Sequence, residues 1–316
     1  MKKIIFMGTP QFSVPILKAL CEQTGIEVQC VVTQPDRKVG RKRVLTAPPV
    51  KQCAERFGVN VLQPETIRGS EELDIMKELA PDLIITAAFG QFLPKELLDL
   101  PTYGAINIHA SLLPKYRGAA PIHYAIKNGD EKTGVTIMYM TPKMDAGDML
   151  AKREMTIQDH HDTGDLFEAL SLLGRDLLID TLPKLFNDEL TLVPQDESQV
   201  TYAPMISSEE EEIDWTESAR AIYNKVRAFR PFPSTHTFFQ GERFKLWEVA
   251  EVAGNTAASP GEIIHVSPDE LHVAAGDGNG IALIRVQPAG KSKMSITSYL
   301  QGATIEEGMQ FEQVNC

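Results

Sequence analysis

Short runs of consecutive apolar residues alternate with segments that are apolar on one face only, so strands and helices take turns through the first part of the chain. Lys3 to Met7 reads as a strand, Val14 to Gln23 as a helix, Glu27 to Thr33 as a second strand and Pro49 to Phe57 as a second helix. A helix around Glu71 to Leu79 precedes the apolar strand Asp82 to Ala88, and Gly104 to Ile108 is the next strand. This order predicts an α/β fold on a doubly wound, Rossmann-like parallel sheet. Such sheets bind ligands beyond the carboxyl ends of their strands, where Gly8-Thr9-Pro10, Phe89-Gly90 and the residues at His109 all fall.

After a helix-like stretch from Thr163 to Phe186 the pattern changes. Asn187 to Ser208 is polar, carries Pro194 and Pro204, and reads as a linker. The acidic run Glu209 to Glu212 precedes Ile213-Asp214-Trp215 and a helical repeat through Ala219, Ile222, Val226 and Phe229; acidic residues at a helix start complement its dipole. Short β-like runs follow at Thr235 to Phe239, Phe244 to Val249, Gly261 to His265, Leu271 to Ala275 and Gly280 to Val286, separated by Gly, Pro and Asp turns. They predict a small OB-like barrel, a fold that often binds nucleic acid. The expected division is an α/β domain over 1–186, a linker over 187–208 and a barrel domain over 209–316.

Composition agrees with two soluble domains: 316 residues exceed the usual size of one core, with 43% hydrophobic and 23% charged residues. No apolar run is long enough to span a bilayer, and MKKIIFMGTP enters a strand too soon for a signal peptide, so a cytoplasmic location is expected. Cys21, Cys30, Cys53 and Cys316 form neither a CxxC pair nor a Cys/His cluster, so neither a metal nor a disulfide framework is indicated. Gly8-Thr9-Pro10-Gln11-Phe12-Ser13 lacks the second and third glycines of a dinucleotide fingerprint, which leaves a nucleotide cofactor without support.

Asn107 and His109 are polar residues two apart at the end of an apolar strand, so both lie on one face while Ile106 and Ile108 point the other way. Buried polar groups there need partners, and the downstream Met144-Asp145-Ala146-Gly147-Asp148 offers carboxylates. An imidazole beside a carboxylate suits proton transfer near neutral pH, although a hydrogen-bonded core histidine fits the pattern equally well. Asp148 reads as a capping residue, Arg117 as either an anion binder or an ion-pair partner, and His123, His160 and His161 as structural or exposed.

The segment NIHASLLPKYRGAAPI, from Asn107 to Ile122, together with Asp145, resembles the folate-dependent formyltransferases. The resemblance implies that Asn107, His109 and Asp145 carry the catalysis, with 10-formyltetrahydrofolate as cosubstrate and no metal. It places the folate beside Ser111, Leu112, Leu113 and Pro114, with Phe89, Gly90 and Leu93 as apolar walls or backbone partners of the ring; Phe92 belongs to the same group. Core packing is the alternative for all these apolar side chains.

The net charge of −12 argues against a protein that coats nucleic acid through general attraction. Against it, Asp36 to Arg43 carries five positive side chains in eight residues, which reads either as a solvated loop or as a local phosphate contact. The chain from IIFMGTPQF through TQPDRKVGR, IDW, RAFRPFP and QPAGKSKMS resembles the branch of the family that acts on methionyl-tRNA. That implies formyl transfer to the amino group of methionyl initiator tRNA, for translation initiation, by a monomer. The catalytic domain would be 1–186 and the tRNA-binding barrel 209–316, with Arg37, Lys38, Arg41, Lys42 and Arg43 on the acceptor arm, Arg41 foremost, and Lys291 and Lys293 on the tRNA backbone. An amino-sugar formyltransferase and a catalytically silent RNA-binding protein are the competing readings.

Overall fold

In this computed structural model residues 1–40 and 42–312 are described, and they fall into two compact units. The first comprises Met1–Pro121, Lys132–Met155 and Phe167–Ala203. Its elements are β1 (Lys2–Gly8), α1 (Val14–Glu22), β2 (Ile26–Val32), β3 (Arg37–Val39), β4 (Val44–Thr46), α2 (Pro49–Arg56) and β5 (Val61–Leu62). There follow α3 (Glu71–Glu78), β6 (Leu83–Ala87), α4 (Lys95–Leu98) and β7 (Ala105–His109). Next come α5 (Pro121–Lys127), β8 (Lys132–Tyr139), β9 (Met149–Thr156) and α6 (Thr163–Phe186); α5 from residue 122 on and the first turn of α6 belong to the second unit. The sheet runs β5-β2-β1-β6-β7-β8-β9, parallel from β5 to β7 and antiparallel between β7 and β8. The chain winds outward from β1 to β5, then returns to β6 on the other side of β1. That reversal is the switch point at which open α/β sheets leave a crevice.

The two sides of β7 are separated as its alternation requires. Ile106 and Ile108 are buried, and a Cβ on Gly174 of α6 would lie only 2.9 Å from Ile108 Cγ2, so glycine lets helix and strand close on each other. Ala105, on the opposite face, joins a core with Ile5, Val32, Met76, Ile84 and Phe89. The helix expected around Thr163 to Phe186 is present at that length.

Strands β8 and β9 were not expected from the sequence. In β8 the apolar run is broken by Thr133, Gly134 and Thr136, while in β9 the alternating exposure puts Arg153 on the half-covered side, so residue type shows no clean strand period in either. The segment expected as a linker departs further from expectation, because residues 187–203 remain with the first unit. Val193 and Met149 exchange backbone hydrogen bonds of 2.9 and 3.0 Å, Arg117 N–H donates to Thr201 O at 2.9 Å, and Ala203 N–H to Arg117 O at 2.8 Å. It is a strap, held by main-chain bonds that side-chain polarity does not reveal.

The second unit comprises Ile122–Glu131, Thr156–Leu166 and the residues from Pro204 on. Its elements are α7 (Ala219–Ala228), β10 (Thr235–Phe239), β11 (Glu242–Val252), β12 (Ile263–Val266), β13 (Leu271–Ala274), β14 (Gly280–Pro288), β15 (Met294–Ser295), α8 (Ile296–Leu300) and β16 (Phe311–Glu312). The sheet order β12-β13-β14-β11-β10-β16 is antiparallel at its strand pairs. Phe311 N–H donates to Gly261 O at 2.8 Å and Ile263 N–H to Met309 O at 2.8 Å, so the sheet curls until its edges meet, as expected of a small barrel. Ile213, Trp215, Ile222, Leu246, Leu271 and Phe311 belong to its core.

Candidate active site

Asn107 and His109 reach the carboxyl end of the sheet on the same face of β7. Thr86, directly across on β6, donates its hydroxyl to Asn107 Oδ1 at 2.7 Å. This directs the amide oxygen inward and leaves the Nδ2 hydrogens as the donor end available to a ligand. His109 is buried, with Nε2 2.8 Å from the Tyr116 carbonyl oxygen. A carbonyl only accepts, so Nε2 carries the proton in the neutral ring and Nδ1 holds the lone pair. Nδ1 lies 3.7 Å from Asp145 Oδ2, an oxygen that accepts from Gly118 N–H at 2.8 Å.

The surrounding backbone is shaped for these contacts. Tyr116 (φ 62°) and Asp145 (φ 47°) both occupy the left-handed region, at a cost of order 1 kcal/mol each, as functional turns often do. A Cβ on Gly147 would sit 1.9 Å from Tyr139 O, so only glycine lets the Asp145 turn lie against β8. Arg117 is fully buried and bonds Gln195 Oε1 through Nε (3.0 Å) and Nη2 (2.9 Å), and Glu197 Oε1 at 2.9 Å; its guanidinium holds Glu197 below the usual carboxylate range. Gln195 Nε2 in turn donates to the carbonyls of Asp145 and Gly147, both at 2.8 Å. Of the two readings open for Arg117, the structure shows an ion pair, between a buried guanidinium and the exposed carboxylate of Glu197. Thr86, Gly118 and Gln195 carry no sequence signal, because their contacts lie across strands or through main-chain atoms.

The amide donor, the imidazole with one free nitrogen and the oriented carboxylate form a set able to stabilise an oxyanion and move a proton. A formyl transferase family model matches residues 1–182, and a model of the formyl transferase C-terminal domain matches residues 205–304. A methionyl-tRNA formyltransferase from Levilactobacillus brevis is 57% identical over 96% of this chain and 96% of its own. Another from Enterococcus faecalis is 53% identical, again over 96% of both. The chain belongs to the methionyl-tRNA formyltransferase family. A solved N-formyltransferase from Helicobacter canadensis, in complex with folinic acid and dTDP-3-aminofucose, shares the fold with a TM-score of 0.67 at 17% identity, over 91% of this chain and all of that one.

The residues expected at a formyltransferase folate site divide into two groups. Phe89, Leu93 and Leu113 are buried in core clusters, and the Ser111 hydroxyl donates to Lys115 O at 2.6 Å. Phe89 O already accepts from Thr9 Oγ1 (3.1 Å) and Gln34 Nε2 (3.3 Å), which makes it a poor reader of a ring edge. Gly90 is exposed with φ 89°, Leu112 and Pro114 are half-buried, and Phe92 is exposed. At the β1/β6 switch point a Cβ on Gly8 would meet Ser13 and Ala87 within 2.9 Å, so this glycine serves close packing.

The basic segment is an antiparallel hairpin, β3–β4, and not the irregular loop its charge suggests. Arg37 pairs with Glu65, while Lys38 and Lys42 are exposed and Arg43 (φ 49°) closes the turn. Arg41 lies outside the described residues. In the second unit Lys291 and Lys293 are exposed, with Lys293 Nζ 4.0 Å from the Trp247 ring. Asp148 is exposed, and His123 Nε2 pairs with Phe232 O at 3.1 Å. Among the described residues no His, Cys, Asp and Glu group is arranged to hold a metal, and no helix is long and apolar enough to cross a membrane. Burial pushes the Cys30 thiol up to about 12; Cys316 is outside the described residues.

Proposed function

We propose that the chain transfers the formyl group of 10-formyltetrahydrofolate to the amino group of methionyl initiator tRNA. The observation that carries the reading is the approach of His109 Nδ1 to Asp145 Oδ2 at 3.7 Å beside Asn107, in a chain of this family. The amine lone pair attacks the formyl carbon; a C–N bond forms and the carbonyl electrons move to oxygen. The oxyanion then collapses, the bond to the folate nitrogen breaks, that nitrogen gains a proton and the amine loses one. Products are tetrahydrofolate and the N-formylated tRNA.

Asn107 Nδ2 is the standing donor to the oxyanion, while His109 Nδ1, whose lone pair is available in the neutral ring, takes up a proton and passes it on to the folate nitrogen. Asp145 keeps Oδ2 against Gly118 N–H, so Oδ1 is left to receive the amine proton. On the folate side, Gly90, Leu112 and Pro114 supply surface, while Phe89, Leu93, Ser111 and Leu113 hold the shape of the two turns. Arg37, Lys38, Arg41, Lys42, Arg43, Lys291 and Lys293 are assigned to tRNA phosphates, which orient the substrate without reading sequence. In the test, methionyl initiator tRNA is incubated with 10-formyltetrahydrofolate and its amino acid is released by mild alkali. Recovery of formylmethionine supports the reading; recovery of methionine alone refutes it.

A further inference from the structure

We infer that Gln195 is a positioning residue for the formyl transfer, holding the Asp145 turn in register with His109; this rests on the function proposed above. Three separate pieces of chain meet at its amide. Oε1 accepts two N–H bonds from Arg117, and Nε2 donates to the carbonyls of Asp145 (2.8 Å) and Gly147 (2.8 Å). Arg117 belongs to the turn that also contributes Tyr116 O to His109 Nε2 and Gly118 N–H to Asp145 Oδ2. Gln195 therefore joins the turn that orients the imidazole to the turn that carries the carboxylate.

The strap bearing Gln195 is anchored on both sides of it, at Val193 to Met149 and at Thr201 and Ala203 to Arg117. The amide side chain suits this place because it offers an acceptor to a guanidinium and donors to carbonyls at the same time. Glutamate keeps the acceptor and loses the donors; methionine loses both at similar length. Asp145 is in the left-handed region, a conformation that persists only where neighbours enforce it, and two carbonyl bonds from one amide do so. Gln195 hydrogen-bonds Asp145 at its main-chain oxygen, so it acts through the carboxylate's position.

The test compares steady-state formyl transfer by the full-length wild type, Gln195→Met and Gln195→Glu, with kcat expressed per folded molecule from a parallel thermal melt. A displaced carboxylate lowers kcat about tenfold or more in both variants, while KM for folate and for tRNA stays within about twofold. Gln195→Glu retains the Arg117 bonds and so decides the matter if Gln195→Met does not fold. A Gln195→Glu enzyme with wild-type kcat, or one whose loss appears only in KM or in the folded fraction, overturns the inference. A wild type that formylates no methionyl-tRNA refutes the proposed function instead, so the two failures are distinguishable.

Discussion

His109 has one working nitrogen because the Tyr116 carbonyl holds the other, and that geometry sets what each substitution does. On the proposed mechanism His109→Ala removes the proton relay and is expected to lower kcat by about 100- to 10,000-fold with folding retained, measured against the melting curve. On the same mechanism Asn107→Ala removes one oxyanion donor and is expected to cost about 100- to 1000-fold in kcat. Thr86→Val frees the Asn107 amide to rotate; its kcat is expected to fall while both KM values hold, and an unchanged kcat contradicts the oriented-amide account. Asn107 and His109 were legible in the sequence because polar residues on an apolar strand are conspicuous, and the resemblance supplied Asp145. Arg117 showed as a residue of interest but not as a buried one, and Gln195 sat in what read as a linker. Their partners are 78 residues apart in the chain, which no local pattern registers.

At the scale of elements, strands buried on both faces and helices with one apolar side were readable, hence β1, β2, β6, β7, α1, α2, α3 and α6. The missed elements include an edge strand, a strand interrupted by Gly and Thr, a three-residue-strand hairpin, and the short elements β5, α4, α5, β15, α8 and β16, where period or length fails. The hairpin carries exposed Val39, Val44 and Leu45 among its basic residues, a surface whose cost in water is offset if it meets a partner. Replacing Lys38, Lys42 and Arg43 by alanine is expected to raise KM for tRNA with kcat nearly unchanged, and the difference from wild type should shrink as salt is raised. An unaltered KM at low salt removes the hairpin from the tRNA contact. The Asp145 turn depends on Gly147: Gly147→Ala is expected to lower both the melting temperature and kcat, since its Cβ would collide with Tyr139 O.

For the whole molecule, the division at 187–208 expected from composition differs from the units observed. Residues 122–131 and 156–166 belong with the barrel: Thr163 Oγ1 donates to Ala228 O, Arg230 Nε to Asp162 at 2.6 Å, and Lys127 Nζ to Glu210 at 2.7 Å. A fragment covering 209–316 lacks those partners and is expected not to unfold cooperatively, as judged by its melting curve. The barrel unit also carries an acid-sensitive group. Burial pushes buried His236 down to about 4, and Arg243 donates to its Nδ1 at 2.9 Å, a bond that requires the neutral ring. The unfolded ring takes its proton near pH 6.5, so this stability is complete above that pH and is lost as pH falls from about 6.5 towards 4. His236→Asn is expected to flatten the melting temperature across that interval. On the proposed function His109, Asn107 and Asp145 serve a macromolecular amine. The decisive measurement is formyl transfer from 10-formyltetrahydrofolate to methionyl initiator tRNA, methionyl elongator tRNA and a UDP-amino sugar, compared at equal enzyme. Transfer confined to the initiator tRNA is expected; transfer to the sugar alone, or to nothing, would overturn the proposed function.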